Sequence, residues 1–243
     1  MCITCVKRRA VLALGIAALA MPANALDTTE PRFRRPPATE GRRRIALTLD
    51  ACNGGFDRRI ADALVTHQAR ATIFLTADWI RANKQGLAVL LANRHLFSFE
   101  NHGERHIPAI LGTGTIYGLP IAGTIEAIRR EVEQGASAIL AATGSTPAWY
   151  RGATARYSPA AIAEIRRLGY RIAAYSLNAD EGASLAATTV AARVAAARDG
   201  DVIIGHINQP TRPSGEGIAR AIATLAQADV AWSTLDELHP TNG

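Results

Sequence analysis

Lysine is almost missing from this chain. Lys7 and Lys84 are the only two among 27 basic residues, so arginine carries nearly all the positive charge. The formal charge of +6 is also unevenly placed. Nine of the 27 basic residues and three of the 21 acidic ones precede Ile45, leaving 18 of each beyond it. The bulk of the chain is therefore neutral, and the basic face that nucleic-acid binding needs is not there. Cysteine is scarce as well, at three. Cys2 and Cys5 form a C-x-x-C pair in a segment expected to be removed, so the mature chain keeps Cys52 alone and forms no internal disulfide. Aromatic residues reach only 5%. Beyond the N-terminal segment, no run is long and apolar enough to cross a membrane.

The N-terminal segment itself has a clear pattern. Lys7, Arg8 and Arg9 precede a short apolar run, Ala10 to Met21, and Ala23-Asn24-Ala25 supplies a small-x-small cleavage site. Residues 1–25 are expected to be a secretory signal peptide, since the run is too short for a spanning helix. The Arg8-Arg9 pair leaves both the general and the twin-arginine export routes open. Residues 26–44 include the basic, Pro-rich stretch Pro31 to Arg44 and are expected to form an extended, solvated arm. The domain proper is expected over residues 45–243, and a hydrophobic content of 48% suits one ordinary core.

From Arg44 onward, short β-type runs alternate with helical ones. The strand candidates are Ile45–Leu49, Ala71–Leu75, Leu96–Glu100, Ala148–Gly152, Arg171–Ser176, Asp201–Ile207 and Val230–Leu235. The helical stretches are Asp57–His67, Thr124–Ala142, Pro159–Leu168, Thr188–Arg198 and Gly215–Ala228. In the second of these, Ile125, Ile128, Val132, Ala136 and Ile139 recur at three and four, the period of one helix face. Nearly continuous apolar strands suit a parallel sheet buried on both sides. Seven such units predict an α/β fold, either a (β/α) barrel or a doubly wound sheet.

Both architectures put chemistry at the C-terminal ends of the strands. Asp50 and Cys52 follow the first strand; Asn101, His102 and His106 follow the third; Arg151 ends the fourth. Asn178 and Asp180 follow the fifth, and His206 ends the sixth. His102 and His106, at i and i+4 just past a strand, can face one cation together. The Gly-rich stretch Leu111–Thr124 lacks a nucleotide-loop pattern and is expected to be a mobile loop over the pocket.

The runs IALTLDACNGG, NHGERH, WYRGATARY, AYSLNADEG and DVIIGH resemble, in order and spacing, the five motifs of polysaccharide deacetylases, carbohydrate esterase family four with its NodB-homology domain. The resemblance spans about residues 44 to 210. It implies an irregular (β/α) barrel of about seven parallel strands and hydrolysis of N-acetyl amides on a cell-envelope or extracellular glycan. It implies Asp50 as catalytic base and His102 and His106 as ligands of a divalent metal, zinc by preference. Arg151 would orient the base, with Asn178 or Asp180 as its partner, and His206 would be the general acid. Tyr117, Tyr150 and Tyr157 are placed near the pocket mouth as substrate contacts.

One position departs from the pattern. The family carries two consecutive aspartates after the first strand, the second being a metal ligand, and here the second is Ala51. Asp50, Cys52 or Asp57 could supply the third donor, and a thiolate would favour zinc. Two further functions compete: a metal-free or ester-cleaving relative, and a glycan-binding module without catalysis. Export with signal removal implies a periplasmic or secreted protein with an N-acetylated glycan partner and no stable membrane insertion.

Overall fold

A computed structural model of the chain describes residues 26–37, 41–228 and 230–238. The signal-peptide assignment, residues 1–25, lies outside them. The strands are β1 (Arg43–Ala51), β2 (Ala71–Leu75), β3 (Phe97–Asn101), β4 (Thr115–Ile116), β5 (Leu119–Pro120), β6 (Trp149–Tyr150), β7 (Arg171–Ile172), β8 (Leu177–Asn178), β9 (Asp201–His206) and β10 (Val230–Ser233). The helices are α1 (Arg58–Thr66), α2 (Ala77–Ala82), α3 (Lys84–Ala92), α4 (Ile125–Thr143), α5 (Pro159–Arg167), α6 (Ala187–Ala195), α7 (Ser214–Ala226) and α8 (Leu235–Leu238).

Seven strands run in the order β7-β6-β3-β2-β1-β9-β8, each parallel to its neighbours, and β10 pairs with the first half of β1. The sheet curls into a half-barrel with helices outside. The expected strand Arg171–Ser176 is divided. Its start pairs with β6, Ala173 N–H donates to the Tyr150 carbonyl, and Ser176 N–H donates to the Val202 carbonyl beside β9. The segment thus steps from one edge of the sheet to the other. The sequence reading passed over α2 and α3, a short amphipathic turn and an apolar helix with no clear polar face.

The period of two along β1 sorts its side chains between two cores. Ile45, Leu47, Leu49 and Ala51 face the helices and pack with Ile60, Leu64 and Ile73. Each large aliphatic group buried there stabilises the fold by roughly 1.5–3 kcal/mol. Ala46 faces the barrel interior, with Phe74, Trp149, Tyr175 and Ile204. Thr48 and Asp50 share that inner face, where both meet Arg151. Both alternating sets are buried, the pattern of a central parallel strand.

The basic stretch expected to be a solvated arm is instead bound to the barrel over residues 29–35. Thr29 exchanges two backbone bonds with Tyr157, at 2.8 and 2.9 Å, and Phe33 N–H donates to the Tyr175 carbonyl at 3.1 Å. Arg35 N–H donates to the Gly200 carbonyl at 2.9 Å, and Arg34 pairs with buried Asp201 at 2.6 Å. Tyr175 lies where the chain passes between the sheet's two edge strands, so the arm covers that seam. Exposed backbone groups at those edges account for the capture: the extended arm offers them donors and acceptors. Gly200 has φ +81°, and a Cβ there would collide with the Arg35 carbonyl oxygen. The barrel strand β1 then begins at Arg43, two residues before the expected boundary.

Candidate active site

A cavity of about 600 Å³ opens at the C-terminal ends of the strands and is lined by Asp50, His102, His106 and His206 among others. Asp50 ends the inward row of β1 and is almost sealed from solvent, as is Arg151 just past β6. The Arg151 Nη1 lies 2.8 Å from both Asp50 Oδ1 and Thr48 Oγ1. Burial pushes the Asp50 carboxyl up, but Arg151 and the His102 and His206 rings together outweigh it and hold the group below its ordinary value. It is a carboxylate kept ionised in a dry place.

Two residues past Asp50, Cys52 returns to the same side while Ala51 is locked in the outer core. The Cys52 Sγ lies 3.2 Å from His102 Nε2. Donor atoms of Cys52, His102 and His106 all fall within 4.8 Å of one another. The two rings stand 4.9 Å apart, centre to centre. His102 Nδ1 faces the Arg151 carbonyl at 2.6 Å, so that nitrogen carries the proton and Nε2 is left to bind. Burial raises the Cys52 thiol, yet the two histidines beside it reverse that and hold it well below the usual thiol value. One thiolate and two imidazoles are the donor chemistry of a zinc site. Of the other proposed third donors, Asp57 is spent elsewhere: it caps α1 and pairs with Arg59 at 2.6 Å. Asp50 is engaged by Arg151, 3.8 Å from the His102 ring nitrogen.

The loop carrying the histidines is fixed from behind. Glu131 of α4 accepts from the N–H groups of Arg105 and Ile107, each at 3.0 Å. This holds His106 in a left-handed conformation, φ +63°, that a non-glycine residue adopts only under constraint. Gly103 is required here, because a Cβ would run into the Glu131 carboxylate.

At the end of β9, in register with Asp50, His206 Nδ1 lies 2.8 Å from Asp180 Oδ1, and His206 N–H donates to Asp180 Oδ2 at 2.8 Å. Burial works against a charged ring, but the Asp180 carboxylate, with a smaller contribution from Cys52, overrides it and lifts the His206 pKa well above its ordinary value. Asp180 is therefore the partner of His206 and not of Arg151, which corrects the expected pairing. Asn178 lines the cavity but accepts from Glu181 N–H, and it does not touch Arg151 either.

The three tyrosines divide. Leu111–Thr124, expected as a mobile loop, contains the hairpin of β4 and β5, whose turn residues Tyr117 and Gly118 both have positive φ, 49° and 80°. Tyr117 stands 75% exposed at its tip and lines the cavity. Tyr150 and Tyr157 do not reach the cavity. Both are fully buried, and the Tyr157 hydroxyl accepts from Gly152 N–H at 2.7 Å. Their place in the apolar core with Val132 and Ile165 reflects a large ring better buried than wet. Glu30, Thr154 and Tyr175, by contrast, line the cavity without having been singled out from sequence. Thr48, which meets Arg151 beside Asp50, was not singled out either, although its parity with Asp50 on one strand is a readable signal.

An arginine-paired carboxylate, an aspartate-paired histidine and a Cys-His-His donor cluster are thus brought by different strand ends to one cavity of an α/β half-barrel. The sequence profile of polysaccharide deacetylases matches residues 38–173, more than half of the chain, and the chain belongs to that family. It is thus a polysaccharide-deacetylase-type hydrolase acting on amide carbon–nitrogen bonds, in a family that acts on N-acetylated polysaccharide. The fold is similar to that of the peptidoglycan deacetylase PdaC from Bacillus subtilis, at 19% identity and TM-score 0.66, covering 81% of this chain and 90% of that one. It is also similar to the family 4 carbohydrate esterase from Streptomyces lividans in complex with acetate, at 19% identity and TM-score 0.61, over 78% and 91%. BA3943 from Bacillus anthracis, described as a CE4 family pseudoenzyme, aligns at 17% identity and TM-score 0.65, over 86% and 69%. No curated protein matches the chain by sequence.

Proposed function

We propose that this chain is an exported, metal-assisted deacetylase that hydrolyses the N-acetyl amide of a cell-envelope or extracellular glycan. The observation that carries the reading is the meeting of Cys52, His102 and His106 with the Asp50–Arg151 and Asp180–His206 pairs around one cavity. Zinc held by Cys52, His102 and His106 would supply Lewis acidity toward the amide carbonyl oxygen. Asp50, kept ionised by Arg151, takes the proton of the attacking water. Asp180 fixes the His206 ring through Nδ1, which leaves Nε2–H to protonate the departing amine nitrogen. Tyr117, at the hairpin tip, offers a ring face to a sugar. Export rests on residues 1–25, with a periplasmic or secreted product.

Acetate release from N-acetylglucosamine oligomers tests the reading. Mature protein should be active, lose activity to a chelator and regain it with zinc. No release under any metal supplement would overturn it. Ala51 favours one competing reading, a glycan-binding pocket without turnover. In that case Asp50→Asn and His206→Ala would leave every catalytic readout at the wild-type level.

A further inference from the structure

The arm at residues 29–35 does more than cover a seam in the barrel, because it also puts a carboxylate into the wall of the catalytic cavity. Glu30 lines that cavity together with Asp50, His102 and His206. Its side chain is about three-quarters buried, at 23% exposure. The Tyr175 hydroxyl donates to Glu30 Oε1, Arg32 approaches the same oxygen at 3.1 Å, and Arg156 lies 3.8 Å from Oε2. Arg32 also lies over the Tyr175 ring, 4.3 Å from its centre, and Arg156 donates to Thr28 at 3.1 Å. The backbone bonds of Thr29 and Phe33 brace the residue on both sides. Glu30 lies ahead of the residues that match the family profile, 38–173, and reaches the cavity from the arm and not from a barrel strand.

Resting on the deacetylase reading, we infer that Glu30 is a specificity-determining residue that accepts hydrogen bonds from hydroxyl groups of the glycan ring held in the cavity. The chemistry of its surroundings selects that ligand. Two guanidinium groups already balance its charge, so it is a poor trap for a cation. A carboxylate has about four acceptor positions, more than Tyr175 and its two arginine neighbours occupy, and neutral O–H donors suit the remainder. Its oxygens are fixed beforehand, so binding costs little side-chain ordering.

Kinetics on two substrates and a direct binding measurement test this. Glu30→Gln keeps the shape and weakens the acceptor. KM for N-acetylglucosamine oligomers should rise about five- to tenfold with kcat within about twofold. Turnover of a simple aryl acetamide, which has no ring hydroxyls, should not change. Calorimetric titration with the same oligomers should show binding weakened by a similar factor at an unchanged melting temperature. Equal losses on both substrates would reveal a purely structural role and overturn the inference, as would wild-type KM and binding. Should the wild-type protein release acetate from neither substrate, the deacetylase reading fails by itself. The titration still judges Glu30, since equal oligomer binding by wild type and Glu30→Gln defeats the inference.

Discussion

Asp50 and Arg151 meet at 2.8 Å with both side chains sealed from solvent, one at the end of β1 and the other just past β6. The guanidinium also accounts for Thr48, two residues back on the same strand face. The pair keeps the Asp50 carboxylate ionised, and it makes each partner dependent on the other for its place in the interior.

Asp50→Asn should therefore have two effects. Acetate release should fall by a factor on the order of 10²–10⁴, as expected for loss of a general base. Stability should fall by about 3 kcal/mol, because a buried guanidinium loses its counter-charge. Steady-state kinetics and denaturant melts of the same preparation measure both. Undiminished turnover would remove Asp50 from the mechanism.

On the proposed mechanism, the Asp180–His206 pair should set the alkaline side of the pH profile. The histidine pKa is raised, so the protonated acid is present below that value and is lost as pH climbs through it. Wild-type activity should persist above neutrality, with its acid limb set by the depressed Asp50 carboxyl. Asp180→Asn removes the larger of the two influences that raise His206, the other being Cys52, and the alkaline limb should move to lower pH with kcat down on the order of 10²-fold. An unmoved limb would mean that another group supplies the proton.

Cys52→Ala should weaken zinc binding by at least about tenfold, since one of three donors goes. Equilibrium dialysis followed by elemental analysis reads this without any assay of turnover. Wild-type zinc content in the variant would show that the thiolate is not a ligand.

Glu100 gives a stability prediction away from the site. Burial pushes its carboxyl up from the ordinary 4.5 to about 7, although the Trp149 and Ala148 N–H groups partly oppose the rise. A raised carboxyl binds its proton more tightly in the folded protein, so its contribution is present at low pH and is lost as pH rises from about 4.5 through about 7. The loss amounts to at most about 3 kcal/mol. Glu100→Gln keeps an acceptor for both N–H groups and should flatten the fall in melting temperature between pH 5 and pH 8. A variant that tracks the wild type over that window would contradict the assignment.

Much of this was legible in the sequence. Strands such as Ala71–Leu75 and Asp201–His206 are solid apolar runs, and parallel strands buried on two sides leave that signature. The site residues could be gathered because each follows such a run. What stayed hidden depends on contacts between distant segments. Nothing local distinguishes Asp180 as a partner for His206 rather than Arg151, since both distances are set by the curl of the sheet. Tyr150 and Tyr157 flank motif residues, but the parity of β6 and the turn after it send them into the core. The arm was misread because its prolines and arginines mark an extended chain, and composition does not say whether an extended chain has a groove to lie in.

Gly200 shows how far that groove reaches. Its missing side chain is the space through which Arg35 reaches the barrel, so adding one methyl group at residue 200 would pry the strap loose at a point remote from any reacting atom. The backbone bonds of Thr29 and Phe33 would then be left to hold Glu30 at the other end of the same strap. In this protein a single close backbone crossing is one of the fastenings of a strap that contributes a carboxylate to the cavity.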